Sequence, residues 1–273
     1  MTTTFTVNQM AEEWQLTNST FAAYAAARHV PLGGTFELTP RCSLKCKMCY
    51  VRLDPGQLVA IGRELTAREW ISLARDALRA GTVHLLLTGG EPMIRPDFAE
   101  IFTALSQMGF IITLNTNATL VTPEIVRLFE KYPPTETAVT LYGASPETYE
   151  KICGDGSGFD KTIRGLELLS KLPTQLEVRT TFIQDNMNEL SRLRAIANRY
   201  TKSYAINTSV FKAIRGAAAD VEICRLTPEQ MKSIALENHR YYDELNRDTI
   251  DKTPNQTIPD RPRKEDGFRL PPE

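Results

Sequence analysis

Short runs rich in apolar and β-branched residues recur along the chain at 35–39, 83–88, 111–115, 137–142, 176–183 and 204–211, and each predicts a strand. The stretches between them follow a helical period. Thr66 and Glu69 form a capping box, Trp70, Ala74, Ala77 and Leu78 share one apolar face, and Gly81 ends the segment. Further helices are predicted at about 96–108, 122–131, 158–170, 188–200 and 227–247, the last opening on Thr227-Pro-Glu-Gln230 with Pro228 at its first helical position. Strands alternating with helices predict βα units on a parallel sheet, an α/β fold.

The ends of the chain differ from this middle. Residues 1–33 carry one amphipathic stretch, expected to pack as a helical extension on the outside. From Asp251 to Glu273 the chain holds five prolines and ten charged residues, with Ile258, Phe268 and Leu270 its only sizeable apolar groups. Such a segment buries too little surface to order itself and reads as a tail or a linker. The expected division is 1–33, a barrel over 34–226, a helix over 227–250 and the proline-rich 251–273.

Charge narrows the partners. Lys plus Arg number 32 against 33 for Asp plus Glu, so no polyanion such as nucleic acid is expected. The first basic residue is Arg28, which fits no secretory leader, and the apolar run 21–27 is far shorter than the ~20 residues that span a bilayer. Five cysteines, an odd number in a chain too large to need staples, fit reduced thiols in a cytoplasm.

Three of those cysteines lie within eight residues: Cys42, Cys46 and Cys49, in Thr39-Pro-Arg-Cys-Ser-Leu-Lys-Cys-Lys-Met-Cys-Tyr50. Three clustered thiolates indicate a metal. A cubane iron-sulfur cluster normally takes four cysteines, so three leave one iron open to another ligand. The alternative is a structural zinc knot completed by histidine or a further cysteine, although His84 and His239 lack the spacing of a zinc finger. One strand further on stands Thr88-Gly-Gly-Glu-Pro92, whose glycines permit close backbone approach and whose Glu91 offers a carboxylate to an ammonium group.

The two motifs together resemble the radical S-adenosylmethionine (SAM) superfamily, and the resemblance extends over roughly 34–226. It implies a partial (β/α)6 barrel of TIM type with parallel strands. It implies a 4Fe-4S cluster on Cys42, Cys46 and Cys49, with Met48 at a position that is usually aromatic. Gly89, Gly90, Glu91 and Pro92 match the turn that holds the amino end of SAM. Leu114-Asn-Thr-Asn-Ala-Thr119 resembles a Thr-Asn-Gly segment, with Asn115 the candidate for the nucleoside and Ala118 in place of the glycine. After the fourth strand Thr140 stands at a ribose-contacting position, and Tyr142 where many members carry Asp. Arg179, on one strand face with Glu177 and Thr181, is a candidate for a carboxylate of SAM or substrate; an ion pair with Glu177 is the structural alternative. Arg215 is expected to line the opening. Cys153 and Cys224 are expected to be buried thiols, either of which as a fourth ligand would close the cluster.

Within the superfamily the segment around Tyr142 most resembles members with a C-terminal SPASM domain, which often modify peptides or proteins. No cysteine follows Cys224, so auxiliary clusters of that type have no ligands here. Two explanations fit: the sequence stops before such a domain, or the chain is short and another protein closes its cavity. The implied activity is reductive cleavage of SAM to a 5'-deoxyadenosyl radical that takes hydrogen from a peptide or protein side chain, with a reductant such as flavodoxin or ferredoxin. A small-molecule substrate and a non-catalytic iron-sulfur or zinc module remain the alternatives.

Overall fold

The computed structural model describes residues 20–214, 217 and 221–250. The expectations for residues 1–19, Arg215 and the segment from Asp251 lie outside the described residues. Six strands, β1 (Gly33–Glu37), β2 (His84–Thr88), β3 (Ile111–Thr116), β4 (Glu136–Thr140), β5 (Gln175–Thr181) and β6 (Ser203–Asn207), pair parallel in chain order. The sequence-predicted α/β partial barrel is the fold. Among the described residues β1 and β6 pair only with β2 and β5, so the sheet stays open.

Between the strands run α2 (Pro55–Ile61), α3 (Ala67–Arg79), α4 (Phe98–Gln107), α5 (Pro123–Lys131), α6 (Pro146–Cys153), α7 (Gly158–Leu169) and α8 (Leu190–Ala197). Ahead of the sheet lies α1, residues 20–27, and after it come α9 (Val221–Cys224) and α10 (Pro228–Ile250). The capping box of Thr66 and Glu69 starts α3 as predicted. Three elements escape a reading of periodicity because they are short: α2, α6 and α9. The first two still carry start signals, Asp54-Pro55 and Ser145-Pro146, with Pro at the first helical position. Among the described residues no helix is long and apolar enough to cross a membrane.

The strand alternation sorts the two faces of the sheet. Leu85, Leu87, Ile112, Leu114, Leu176 and Val178 are buried against the helices, where Phe98, Phe102 and Phe129 pack with ring centroids 5.0 to 6.4 Å apart. Each such ring contributes roughly 1.5–3 kcal/mol by burial. The other face is polar and half-buried: Thr88, Asn115, Glu136, Glu177, Arg179 and Thr181 line the concave side. β6 ends at Asn207 rather than at the predicted Phe211. The Asn207 side chain accepts from the Ser209 amide at 2.9 Å and turns the chain out of the sheet.

Past β3 the chain makes a tight turn in which Ala118 has φ 58°, a left-handed conformation that favours glycine. The Thr116 hydroxyl accepts from the Ala118 amide at 2.8 Å and fixes this turn. Ala118 is the position where the resembled family carries glycine. Ala118→Gly is therefore expected to stabilise the fold by about 1 kcal/mol through relief of backbone strain. The check is a higher urea midpoint at unchanged slope; a lower midpoint would mean that the buried Ala118 methyl, packed against Gly165, matters more than the strain.

Candidate active site

The cysteine loop leaves the C-terminal end of β1, and polar contacts pin its base. Arg95, almost fully buried, donates to the Leu38 carbonyl at 2.9 Å and the Leu65 carbonyl at 2.8 Å while both Asp97 oxygens hold it. Arg41 pairs with Glu64 through Nε at 3.1 Å and a terminal nitrogen at 2.8 Å, and Thr39 donates to the same carboxylate. Further along, the amides of Lys45 and Lys47 donate to the carbonyls of Cys153 and Ile152 at 2.8 and 2.9 Å. Those bonds fasten the loop on both sides of Cys46 to the C-terminal end of α6.

The Gly-Gly turn after β2 locks into the same loop. Gly90 donates its amide to the Thr39 carbonyl at 2.6 Å and Glu91 donates to Arg41 at 2.8 Å. A methyl group at Gly89 would lie 2.3 Å from the Thr39 carbonyl oxygen, and one at Gly90 would lie 2.1 Å from that of Arg41. The glycines are thus required by the approach of the cysteine loop itself. The two motifs, separated by two helices and a strand in sequence, form one interlocked backbone unit.

Glu91 lies behind the cavity wall and is completely buried. Its oxygens accept from the Thr116 hydroxyl at 2.9 Å, the Asn117 amide at 2.8 Å and the Met93 amide at 3.2 Å. Burial pushes this carboxyl up to about 7, against the pull of those donors toward the anion. The sequence points Glu91 at an ammonium group; the structure makes it the bond that ties the Gly-Gly turn to the end of β3. Pro92 is also buried, opening the short 3-10 turn Pro92–Ile94.

In front of this wall, at the C-terminal ends of the strands, is a cavity of about 350 Å³. Cys42, Cys46, Cys49 and Met48 line one side, Gly89, Gly90, Asn115 and Thr140 another. The predicted residues therefore converge, with one departure besides Glu91 and Pro92. Arg179 is not on the cavity wall: its guanidinium is taken by Glu177, by Glu136 at 2.8 Å and by the Asn115 side chain at 3.2 Å. The ion pair is what the structure contains, and Glu136 on the neighbouring strand was not legible from β5 alone. Asn115 in turn spends its side-chain oxygen on Arg179.

Cys153 and Cys224 are fully buried and do not line the cavity. His84 starts β2 at the opposite end of the sheet, and His239 sits on α10 facing Asp243 at 3.5 Å, so neither completes a zinc site with the thiols. Among the described residues no three donors stand close enough to share a single metal ion. A cubane spreads its cysteines over different irons, so three thiols on the wall of one cavity fit a cluster better than one ion.

Sequence reasoning missed Asn117, whose side-chain amide reaches Cys42 Sγ at 3.4 Å and Ser43 at 3.1 Å. In the segment after β6 it looked to Arg215 at the opening and not to Phe211 or Ile214. Phe211 meets Tyr50 edge-on at 5.9 Å and the Ile214 amide donates to the Tyr50 carbonyl at 2.9 Å, joining the loops that follow the first and last strands. A position just past a strand's C-terminal end was the available signal for both.

All three thiols are raised above the ordinary value. Cys42 is pushed up to about 12 by burial, with the Leu44 amide opposing and the Glu91 charge adding. Cys46 is raised first by its contact with Cys153 and then by burial, and Cys49 by burial against the amides of Val51 and Arg52. Ligation of a metal by these thiols would release their protons.

Residues 36–193, more than half of the chain, match the family model of the Radical SAM superfamily. The chain belongs to that superfamily. The superfamily implies a 4Fe-4S cluster and SAM. Among relatives, the AdoMet-dependent heme synthase of Methanosarcina barkeri is 33% identical over 162 residues, 59% of this chain and 46% of its own length. The PqqA peptide cyclase of Rhizobium meliloti is 26% identical over 202 residues, 74% of this chain and 53% of its own. The crystal structure of Streptococcus suis SuiB bound to S-adenosylmethionine superposes with a TM-score of 0.64 at 16% identity, over 89% of this chain and 55% of that one. That likeness concerns the fold. The chain spans about half the length of the curated relatives it matches.

Proposed function

We propose that this chain is the catalytic barrel of a radical SAM enzyme that modifies a peptide or protein side chain. The observation that carries the reading is the interlock of Thr39 and Arg41 with Gly89–Glu91, which sets three thiols and the Gly-Gly backbone around one cavity. Cys42, Cys46 and Cys49 are the ligands for a 4Fe-4S cluster, with one iron left for the amino and carboxylate groups of SAM. When bound and reduced by an external donor of flavodoxin or ferredoxin type, the pair supplies a 5'-deoxyadenosyl radical that takes hydrogen from substrate.

The residues of the chain position and enclose. Asn117 donates to Cys42, and Met48 and Leu44 keep the cysteine loop apolar. Thr140 on β4 and Asn115 on β3 offer side-chain polar atoms to the nucleoside, Asn115 through its amide nitrogen. Tyr142 presents a phenol at the inner edge of the cavity.

A peptide substrate suits the edges of β1 and β6, which pair with no further strand among the described residues. The peptide cyclase match runs over 74% of this chain against 59% for the heme synthase, which favours the peptide reading. A small-molecule substrate is the second reading, favoured by the higher identity of the heme synthase. The test is anaerobic reconstitution with iron and sulfide, reduction with dithionite and addition of SAM. 5'-Deoxyadenosine is expected above a control lacking iron; its absence from a chain that carries the cluster would remove the catalytic reading.

A further inference from the structure

Cys153 is a thiol that the proposed chemistry does not use, yet its sulfur lies 3.5 Å from Cys46 Sγ across 107 residues of sequence. It is the last residue of α6, completely buried, just before Gly154 in a left-handed cap at φ 65°. The contact does not depend on one mobile rotamer. The amides on either side of Cys46 are bonded to the carbonyls of Cys153 and Ile152, so the two residues are held together by backbone.

With both thiols protonated, Cys46 donates to Cys153. A ligating cysteine is a thiolate and has no proton to give. For the contact to persist as a hydrogen bond on ligation, the Cys153 S–H has to donate to Cys46. A second residue that carries a donor lies beside this thiol: Tyr142 lines the same cavity as Cys46. Tyr142 is itself fixed, since the Asn186 side chain donates to its carbonyl at 2.8 Å, its amide donates to the Tyr149 hydroxyl at 3.3 Å, and the two rings meet edge-on at 6.0 Å. Among the three cysteines, Cys46 alone is contacted by another thiol in the described residues.

We infer that Cys153 and Tyr142 are paired hydrogen-bond donors to the Cys46 thiolate, which raise the reduction potential of the cluster and ease entry of its electron. The inference rests on the cluster assignment above. Its basis is general: donors to a ligand sulfur stabilise the reduced, more negative cluster, and hydrogen bonds to the sulfurs are among the determinants of potential. In this role both residues act through Cys46.

The test is a redox titration of the reconstituted chain, followed by the electron paramagnetic resonance signal of the reduced cluster, in the wild type, Cys153→Ala, Cys153→Ser and Tyr142→Phe. Cys153→Ala and Tyr142→Phe are expected to bind the cluster with a midpoint shifted to more negative potential. Cys153→Ser, which keeps a donor, should stay near the wild type. Equal midpoints in all four proteins would overturn the inference and leave the cluster assignment standing. Loss of the cluster from both Cys153 variants would also overturn it, by making Cys153 a ligand. A wild type that assembles no cluster would overturn both readings.

Discussion

Cys46→Ala is expected to abolish the visible absorption of the reconstituted cluster and, with it, 5'-deoxyadenosine formation, by more than the ~10–100-fold typical of losing an outer-shell partner. Only two thiolates would remain for a cluster that already leaves one iron open. Cys42→Ala and Cys49→Ala should behave alike. The fold should survive, because Leu44 burial and the backbone bonds of Lys45 and Lys47 hold the loop without the Cys46 side chain. The distinguishing measurement is circular dichroism and thermal unfolding alongside the spectrum. An unchanged spectrum would remove Cys46 from the ligand set, whereas joint loss of spectrum and fold would assign it a structural role.

Glu91→Ala is expected to be the most destabilising single change in the site. It strips the partner from the Asn117 and Met93 amides and the Thr116 hydroxyl, all buried, at ~1–3 kcal/mol for each donor left unsatisfied. Thermal unfolding reads this directly, and a loss under ~1 kcal/mol would mean that water replaces the carboxylate. Glu91→Gln separates charge from shape. Because the folded pKa is raised to about 7, the carboxyl contributes its stability in full below its unfolded value of ~4.3, and this contribution fades as pH rises through about 7. Between pH 5 and pH 8 the wild type should lose on the order of 2–3 kcal/mol relative to Glu91→Gln in urea unfolding. A pH-independent difference would mean that the three donors hold the group as an anion at its ordinary pKa.

The sheet was legible because its outer face is apolar and its turns are short; each predicted strand overlaps an observed one. The three cysteines and the Gly-Gly turn were legible as a local pattern. What pattern does not carry is long-range partnership. Nothing in the run Thr88 to Pro92 says that Glu91 turns away from the cavity, since its donors come from the end of β3. Arg179 was correctly suspected of pairing with Glu177, but Glu136 reaches it only through the β4–β5 register. The contact between Cys46 and Cys153 joins residues whose proximity is set by α6, a helix too short to announce itself by periodicity.

The fastening of the cysteine loop has a consequence for the order of assembly during synthesis. The loop's partners are Gly90 and Glu91, encoded some fifty residues later, and Ile152 and Cys153, a hundred residues later. A nascent chain emerging from the ribosome exposes all three thiols long before any of these partners exists. Contacts so distant in sequence form late because loop closure precedes their reward. On the proposed assignment the cage for the cluster is completed only once α6 has emerged, so metal delivery belongs after that point, and until then the thiols are exposed to oxidants.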